Sequence, residues 1–532
     1  VSSSKLLLRY GVRNTVTSDS PRRYFIVKII LGPPGTGKTT RLLNLVESYL
    51  EKGVAPDRIG YFAFTRRAAK EAVDRACLRF NLSKKDLPYF RTLHSLAFMQ
   101  AGLTHSQIMT AQKYQEVADW LKIGNFFIDK HSNDQGPFKD FGYGDKFLEL
   151  INISKILKQP LQKVYTESIV PLKTDWARVK YVDKGLDHWK KTYGLFDFTD
   201  MLEYFNKHKL SPKFDVLFID EAQDLSPIQW EMVRGLEENS KICYVAGDDD
   251  QAIFRYAGAD VKHFIELKGE VTLLNQSYRI PFSHHALSTD VIKRIVGRRE
   301  KTFSPRDERG EIQWHSHSEQ VDLSENDWLL LSRTTRGAKQ IEEEVRRRGH
   351  LYSFNSSQSI DSQVLEAVRI WELLLQGERV TAEKVRLTYK QMFSKSQVAY
   401  GQKAMPKGEE GTFYSLTELK AEHGLLHSLP WDIGLGKIAE DDKNYIKACL
   451  RKGESLNKEP RIRISTIHSA KGAQASNVML LTDVMKRPYS MWRKTDHYEE
   501  DEARVFYVGL TRALKELHLV HPMYSQGYNL PY

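Results

Sequence analysis

The chain has 532 residues, too many for one core, so roughly two to four domains are expected. Lysine and arginine total 79 against 68 aspartates and glutamates, a formal charge of +11 that points to a polyanionic partner, nucleic acid first. The three cysteines (Cys77, Cys243, Cys449) lie far apart and exclude a disulfide framework or a C-x-x-C zinc site, and no apolar run approaches membrane-spanning length.

Residues 1–22 are polar and aperiodic and read as a disordered tail. Tyr24 to Leu31 (YFIVKIIL) is β-branched, aromatic and apolar, as a buried parallel strand should be. It runs into Gly32-Pro33-Pro34-Gly35-Thr36-Gly37-Lys38-Thr39, a full match to the phosphate-loop pattern G-x-x-x-x-G-K-[ST]. Leu42, Leu43, Val46 and Leu50 then recur at helical spacing. Glycines between a strand and a helix N-terminus let the backbone aim N–H groups at phosphate oxygens, and the helix dipole adds to the attraction. In this pattern Lys38 reaches the β- and γ-phosphates and the Thr39 hydroxyl binds Mg2+.

A second strand is expected over Arg58 to Thr65, then helices from Arg67 to about Asn206. A third strand, Phe214 to Ile219, runs into Asp220-Glu221-Ala222-Gln223-Asp224, and a fourth, Lys241 to Ala246, into Gly247-Asp248-Asp249-Asp250-Gln251. Beyond about Pro281, apolar strands read Trp328 to Leu331, Arg461 to Thr466, Val478 to Leu481 and Leu517 to Val520. Strands alternating with helices predict an α/β chain with two sets of parallel strands. Residues 361–455 read as helical and polar without a strand. The run Glu342 to Arg348 (EEEVRRR) reads as a solvated helix face with Glu–Arg pairs at i, i+4.

Asp220 and Glu221 stand where an apolar strand ends, and adjacent residues there point in different directions. One carboxylate can hold Mg2+ while the other reaches the attacking water, the two jobs that phosphoanhydride hydrolysis divides. Charge developing on the γ-phosphoryl group also needs cations. Arg279, after Ser277-Tyr278, and Arg512, in Gly509-Leu510-Thr511-Arg512-Ala513, stand in suggestive settings, although by residue type alone each reads as a surface arginine.

These stretches fall in a familiar order. After the phosphate loop come Ala63-Phe64-Thr65-Arg66-Arg67-Ala68-Ala69, Thr92-Leu93-His94-Ser95, Phe196-Asp197-Phe198-Thr199-Asp200 and the Asp220–Asp224 box. Gly247 to Phe254, Asn275 to Arg279, Ser465 to Gly472 (STIHSAKG) and Arg504 to Ala513 (RVFYVGLTRA) follow. In this the chain resembles the UvrD/Rep/PcrA helicases of superfamily 1 over about residues 30–520. The resemblance implies an α/β fold of two RecA-like parallel-sheet P-loop NTPase domains with helical inserted subdomains. Domain 1A would span 23–99 and 196–280, insertion 1B 100–195, domain 2A 281–360 and 456–532, and a reduced insertion 2B 361–455.

The resemblance also implies ATP and Mg2+. Gly32, Pro33, Pro34, Gly35, Thr36, Gly37, Lys38, Thr39 and Thr40 would cradle the nucleotide, with Gly472 beside it and Tyr278 stacked on adenine. Thr39 and Asp220 would hold the metal, Glu221 would act on water, and Gln251 would sense the γ-phosphate. Arg279 and Arg512 would be arginine fingers offered by the second α/β domain. Phe64, Thr65, Arg66, His94, Phe254, Tyr256, Thr466 and His468 lie in boxes that face DNA in this family, with Tyr256 the best base platform. His94 and His468 serve equally well as structural histidines that orient loops.

The expected activity is ATP-driven 3′-to-5′ movement on single-stranded DNA with unwinding of duplex. The alternative is an ATP-gated module that clamps single strands, or strips proteins from them, with little unwinding. The expected setting is a monomer in a cytoplasm, nucleoid-associated or viral, acting at single/double-strand junctions with replication or repair proteins and no membrane. Three departures from the family stand out. No L-N-x-x-Q element precedes the phosphate loop, which loosens adenine recognition. Ala257 stands where the family carries Arg, which removes a coupling contact, and Gln474 replaces a Glu at the ribose. No fused nuclease domain is expected after the last box.

Overall fold

The computed structural model describes residues 27–123, 128–129, 142–143, 146–168, 175–401, 411–484, 497–522 and 527–531; the expected N-terminal tail lies outside them. Six strands form the first sheet, in the order Phe90–Thr92, Ile59–Ala63, Phe214–Ile219, Ser240–Gly247, Val27–Leu31, Glu270–Leu273, all parallel. The central strands read as continuous apolar runs because helices cover both faces. Glu270–Leu273 escapes a hydropathy reading because three of its four residues are exposed at the sheet edge.

The second sheet has seven strands, in the order Ser357–Gln358, Tyr352–Phe354, Ile462–Thr466, Trp328–Ser332, Ala475–Leu481, Ala513–Val520, Glu311–His315. The Ser357–Gln358 edge pairs antiparallel and the others parallel. One apolar cluster runs from the first sheet (Ile29, Val245) through Phe254, Phe264 and Phe506 to the second (Leu331, Leu480). The two sheets are thereby packed against each other, with the loops that follow their strands facing a common cleft.

Within 100–195, the helices Ala111–Leu121, Lys146–Ile156, Leu161–Glu167 and Trp176–Tyr193 pack around small apolar clusters of their own. Their attachment to the first domain includes a buried ionic cluster. Buried Lys190 sits 2.7 Å from Asp197 and 2.6 Å from Asp200, and Lys155 lies 2.6 Å from Asp200. Asp197 also caps the helix Phe198–His208, which accounts for both acids of the D-F-T-D box.

Two sequence expectations are corrected. In 361–455, Val380–Thr381 pairs with Phe413–Tyr414, a ladder too short for a periodicity signal. This region shares one core with the second sheet, Trp371 and Tyr389 clustering with Leu330, Ile464 and Met479. The Glu342–Arg348 run is not simply a solvated face. Glu344 pairs with Arg348 as expected, but Arg346 reaches Asp442 at 2.7 Å and lies over the Tyr445 ring, and Arg347 reaches Glu319.

Candidate active site

The cleft between the sheets encloses about 990 Å³ and is lined from both domains. At its centre Gly32 leaves the Val27–Leu31 strand and donates its N–H to the Gly247 carbonyl at 3.1 Å. A Cβ on Gly32 would collide with the Lys38 side chain. Gly35 and Gly37 take φ of +75° and +80°, left-handed values that favour glycine. Lys38 opens the helix Lys38–Glu51 and folds back to donate to the Gly32 carbonyl at 2.9 Å. Thr36 Oγ1 donates to the Pro33 carbonyl at 2.8 Å, and exposed Thr40 accepts from Arg75. Pro33, Pro34, Thr39 and Gly472 also line the cleft.

Asp220 ends its strand buried, and Glu221 turns left-handed at φ 54°, so the two carboxylates diverge. Asp220 Oδ2 accepts from Tyr61 Oη at 2.8 Å and from Thr39 Oγ1 at 3.4 Å. Burial and the adjacent Glu221 charge push the Asp220 pKa up. For Glu221, burial acts against the charge, but Lys38 at 3.5 Å and Lys471 at 3.6 Å outweigh it and hold the pKa down. Gln223 donates to Glu221 at 2.6 Å while its carbonyl accepts from the Asp248 N–H, tying the two acidic loops together.

Among the described residues, no group of three or more His, Cys, Asp or Glu is placed to hold a metal alone. The Thr39 hydroxyl and Asp220 carboxylate instead form a two-oxygen set. That fits Mg2+, which keeps waters and completes its shell with substrate phosphates.

Arg512 is not a surface arginine: it is 1% exposed, and its Nη2 donates to Gln251 Oε1 at 3.2 Å. Burial and the charge of nearby Arg279 both lower its pKa. Arg279 is not offered by the second sheet, as the resemblance implied. It follows the Glu270–Leu273 strand in a segment docked on the phosphate loop, where Tyr278 N–H donates to Gly35 and Ser277 Oγ to Pro34. From there Arg279 Nε donates to Gln474 Oε1 at 2.8 Å, a link to the loop that precedes the Ala475–Leu481 strand of the second sheet. Tyr278 is 74% exposed at the rim of the cleft.

Several DNA-contact expectations shift. Phe64 and Phe254 are buried, with ring centroids 5.4 Å apart, and form the packed floor of the cleft rather than freestanding platforms. Tyr256, the expected platform, is half-buried outside the lining and packs against His468. The Thr65 hydroxyl caps the helix Arg66–Phe80, and that of Thr466 accepts from the Ser469 N–H. Arg66, His94 and His468 do line the cleft. Burial and the Arg66 charge lower the His94 pKa to about 4, which keeps it neutral.

Sequence reasoning passed over Lys471, although it lay inside a quoted box. It joins Asp224, donates to the Gln251 carbonyl at 2.8 Å and lies over the Phe254 ring. Gln223 also lay inside a quoted box without a role, because its partner Asp248 lies on another loop, and Tyr61 carried no signal, because its partner Asp220 is distant in sequence.

Residues 25–272 match the UvrD/REP helicase N-terminal domain, and residues 438–522 match the UvrD-like helicase C-terminal domain. The chain belongs to the UvrD-like helicase family. Among relatives of this UvrD-like chain is YjcD of Bacillus subtilis, provisionally named an ATP-dependent DNA helicase, 23% identical over 94% of this chain and 77% of that protein. The ATP-dependent DNA helicase PcrA of the same organism is 26% identical over 53% of this chain and 39% of its own length. PcrA of Staphylococcus aureus is 23% identical over 60% and 44%. The match thus spans less than half of either PcrA protein. Among the described residues, no helix is long and apolar enough to cross a membrane.

Proposed function

We propose that this chain is an ATP-driven motor that moves along single-stranded DNA in the 3′-to-5′ direction and unwinds duplex at junctions. The observation that carries the reading is the meeting of the phosphate loop, the Asp220–Glu221 pair and both arginines on one cleft lined by two domains. Lys38 would meet the terminal phosphates, and Glu221, with two lysines at 3.5 and 3.6 Å favouring its charge, would orient and deprotonate water. Thr39 and Asp220 would hold Mg2+, whose charge offsets that of the phosphates. Arg279 from the loop side and Arg512 from the second domain would neutralise the charge developing in the transition state. A triphosphate would therefore draw the domains together and its hydrolysis would release them, a cycle that becomes stepping on a strand. Domain 1A is assigned to 23–99 and 196–280 and domain 2A to 281–360 and 456–532, with insertions 1B and 2B between their halves. The names and matches of the PcrA relatives support the DNA track, as does the excess of basic residues.

The test is ATP hydrolysis by wild type and Lys38→Ala, with and without single-stranded DNA, followed by unwinding of a 3′-tailed duplex. Strong DNA stimulation abolished by Lys38→Ala is expected. Hydrolysis indifferent to DNA would refute the motor, and stimulated hydrolysis without unwinding would leave an ATP-gated clamp in its place.

A further inference from the structure

Beneath the cleft floor lies a buried knot of charge. The Lys301 ammonium is 3.1, 2.6 and 2.9 Å from the carboxylates of Asp248, Asp249 and Asp250, and all four side chains are at most 1% exposed. Arg298 adds two bonds to Asp250, at 2.8 and 2.6 Å, and the Arg299 N–H donates to Asp249 at 2.8 Å. The helix Tyr498–Leu510 clamps the other side: Arg504 donates to the Gly297 carbonyl at 2.9 Å and to the Asp249 carbonyl at 3.1 Å. Burial opposes the Lys301 charge, but the three carboxylates outweigh it and raise its pKa, so the ammonium stays charged.

Such a knot is a poor device for stability alone, because apolar residues of similar volume often serve as well or better. Its product is geometry. Asp248, oriented by Lys301, accepts from Gln251 Nε2 at 2.7 Å, and this leaves Gln251 Oε1 facing Arg512 at 3.2 Å. The chain of contacts runs from the segment after the first sheet, through the acidic loop, to the arginine of the second domain.

We infer that Lys301 is a positioning residue for hydrolysis: it fixes Asp248, and through it holds Gln251 against Arg512, on the side of the cleft that would take the terminal phosphate. The inference rests on the ATPase reading above. Lys301→Met alone takes the ammonium partner from buried Asp248 and Asp249, while Asp250 keeps Arg298, and can unfold the protein. The deciding variant is therefore the double substitution Asp249→Asn/Lys301→Met, which removes one charge of each sign.

Steady-state ATP hydrolysis with single-stranded DNA should show kcat reduced at least about tenfold with KM for ATP little changed, as expected when an interaction specific to the transition state is displaced. Adding Gln251→Ala to the double variant should lower kcat no further than Gln251→Ala alone does, because both act through one group. A folded double variant with wild-type kcat, or losses that multiply independently with Gln251→Ala, would overturn the inference and leave the ATPase reading intact. A wild-type protein without DNA-stimulated hydrolysis would sink that reading and this inference with it.

Discussion

Replacing Glu221 by Gln removes one negative charge without changing shape. Glu221 faces Lys38 at 3.5 Å and Lys471 at 3.6 Å. At an effective dielectric of about 20, each contact carries roughly 4–5 kcal/mol of attraction before desolvation is counted. Neither lysine is stranded by the change, because Lys38 keeps the Gly32 carbonyl and Lys471 keeps Asp224 and the Gln251 carbonyl. Lys38 is instead freed toward an incoming phosphate. Glu221→Gln should therefore bind ATP at least as tightly as wild type. The lost base should slow the chemical step by about 10²- to 10⁴-fold, or roughly 3–5 kcal/mol in the barrier. Single-turnover hydrolysis, paired with equilibrium binding of a non-hydrolysable analogue, separates the two effects. Near-normal turnover would show that Glu221 is not the base. Binding weakened tenfold or more would refute the electrostatic account of Lys38.

Three further outcomes are expected. Gly35→Ala should weaken nucleotide binding by about 1–3 kcal/mol, because its Cβ would collide with Arg279 and lie 2.8 Å from Ser277 Oγ at a φ of +75°; an unchanged dissociation constant in titration calorimetry would contradict this. His94 has a folded pKa of about 4, below its ordinary 6.5, so the folded protein binds its proton later than the unfolded chain. Its stabilising contribution is complete above pH 6.5 and is lost as pH falls toward 4, on the order of 3 kcal/mol. Urea midpoints should show a shallower acid loss for His94→Asn than for wild type, and parallel curves would refute the assignment. Arg333 and Glu502 form a buried pair with contacts at 2.9 and 3.0 Å. Arg333→Met should cost about 3–5 kcal/mol in urea unfolding, largely recovered in Arg333→Met/Glu502→Leu; a loss below about 1 kcal/mol would mean the pair does not anchor the helix Tyr498–Leu510 to the second sheet.

The phosphate loop, the strand before it, the helix after it and the acidic pair were legible because their signals are local. A glycine pattern, a run of β-branched residues or a carboxylate at a strand end needs only a few neighbours to be recognised. The edge strands Phe90–Thr92 and Glu270–Leu273 were not legible, since a short or exposed strand is defined by its partner and not by its own hydropathy. The aromatic residues were left open for a related reason: Phe64 and Phe254 lie in boxes expected to face DNA, but whether a ring is floor or platform depends on what packs above it.

By itself the sequence determined the chemistry on offer: a lysine and hydroxyl for phosphates, paired carboxylates, two arginines in suggestive settings, and the alternation of strands and helices that makes parallel sheets. Only the tertiary structure decided how these groups are wired. Lys471, Gln223, Gln474 and Lys301 gain their roles from residues up to 247 positions away, in the case of Lys471 and Asp224. Local propensity carries no information about such pairs, because their energies arise only once the two sheets close and exclude water from the charges between them.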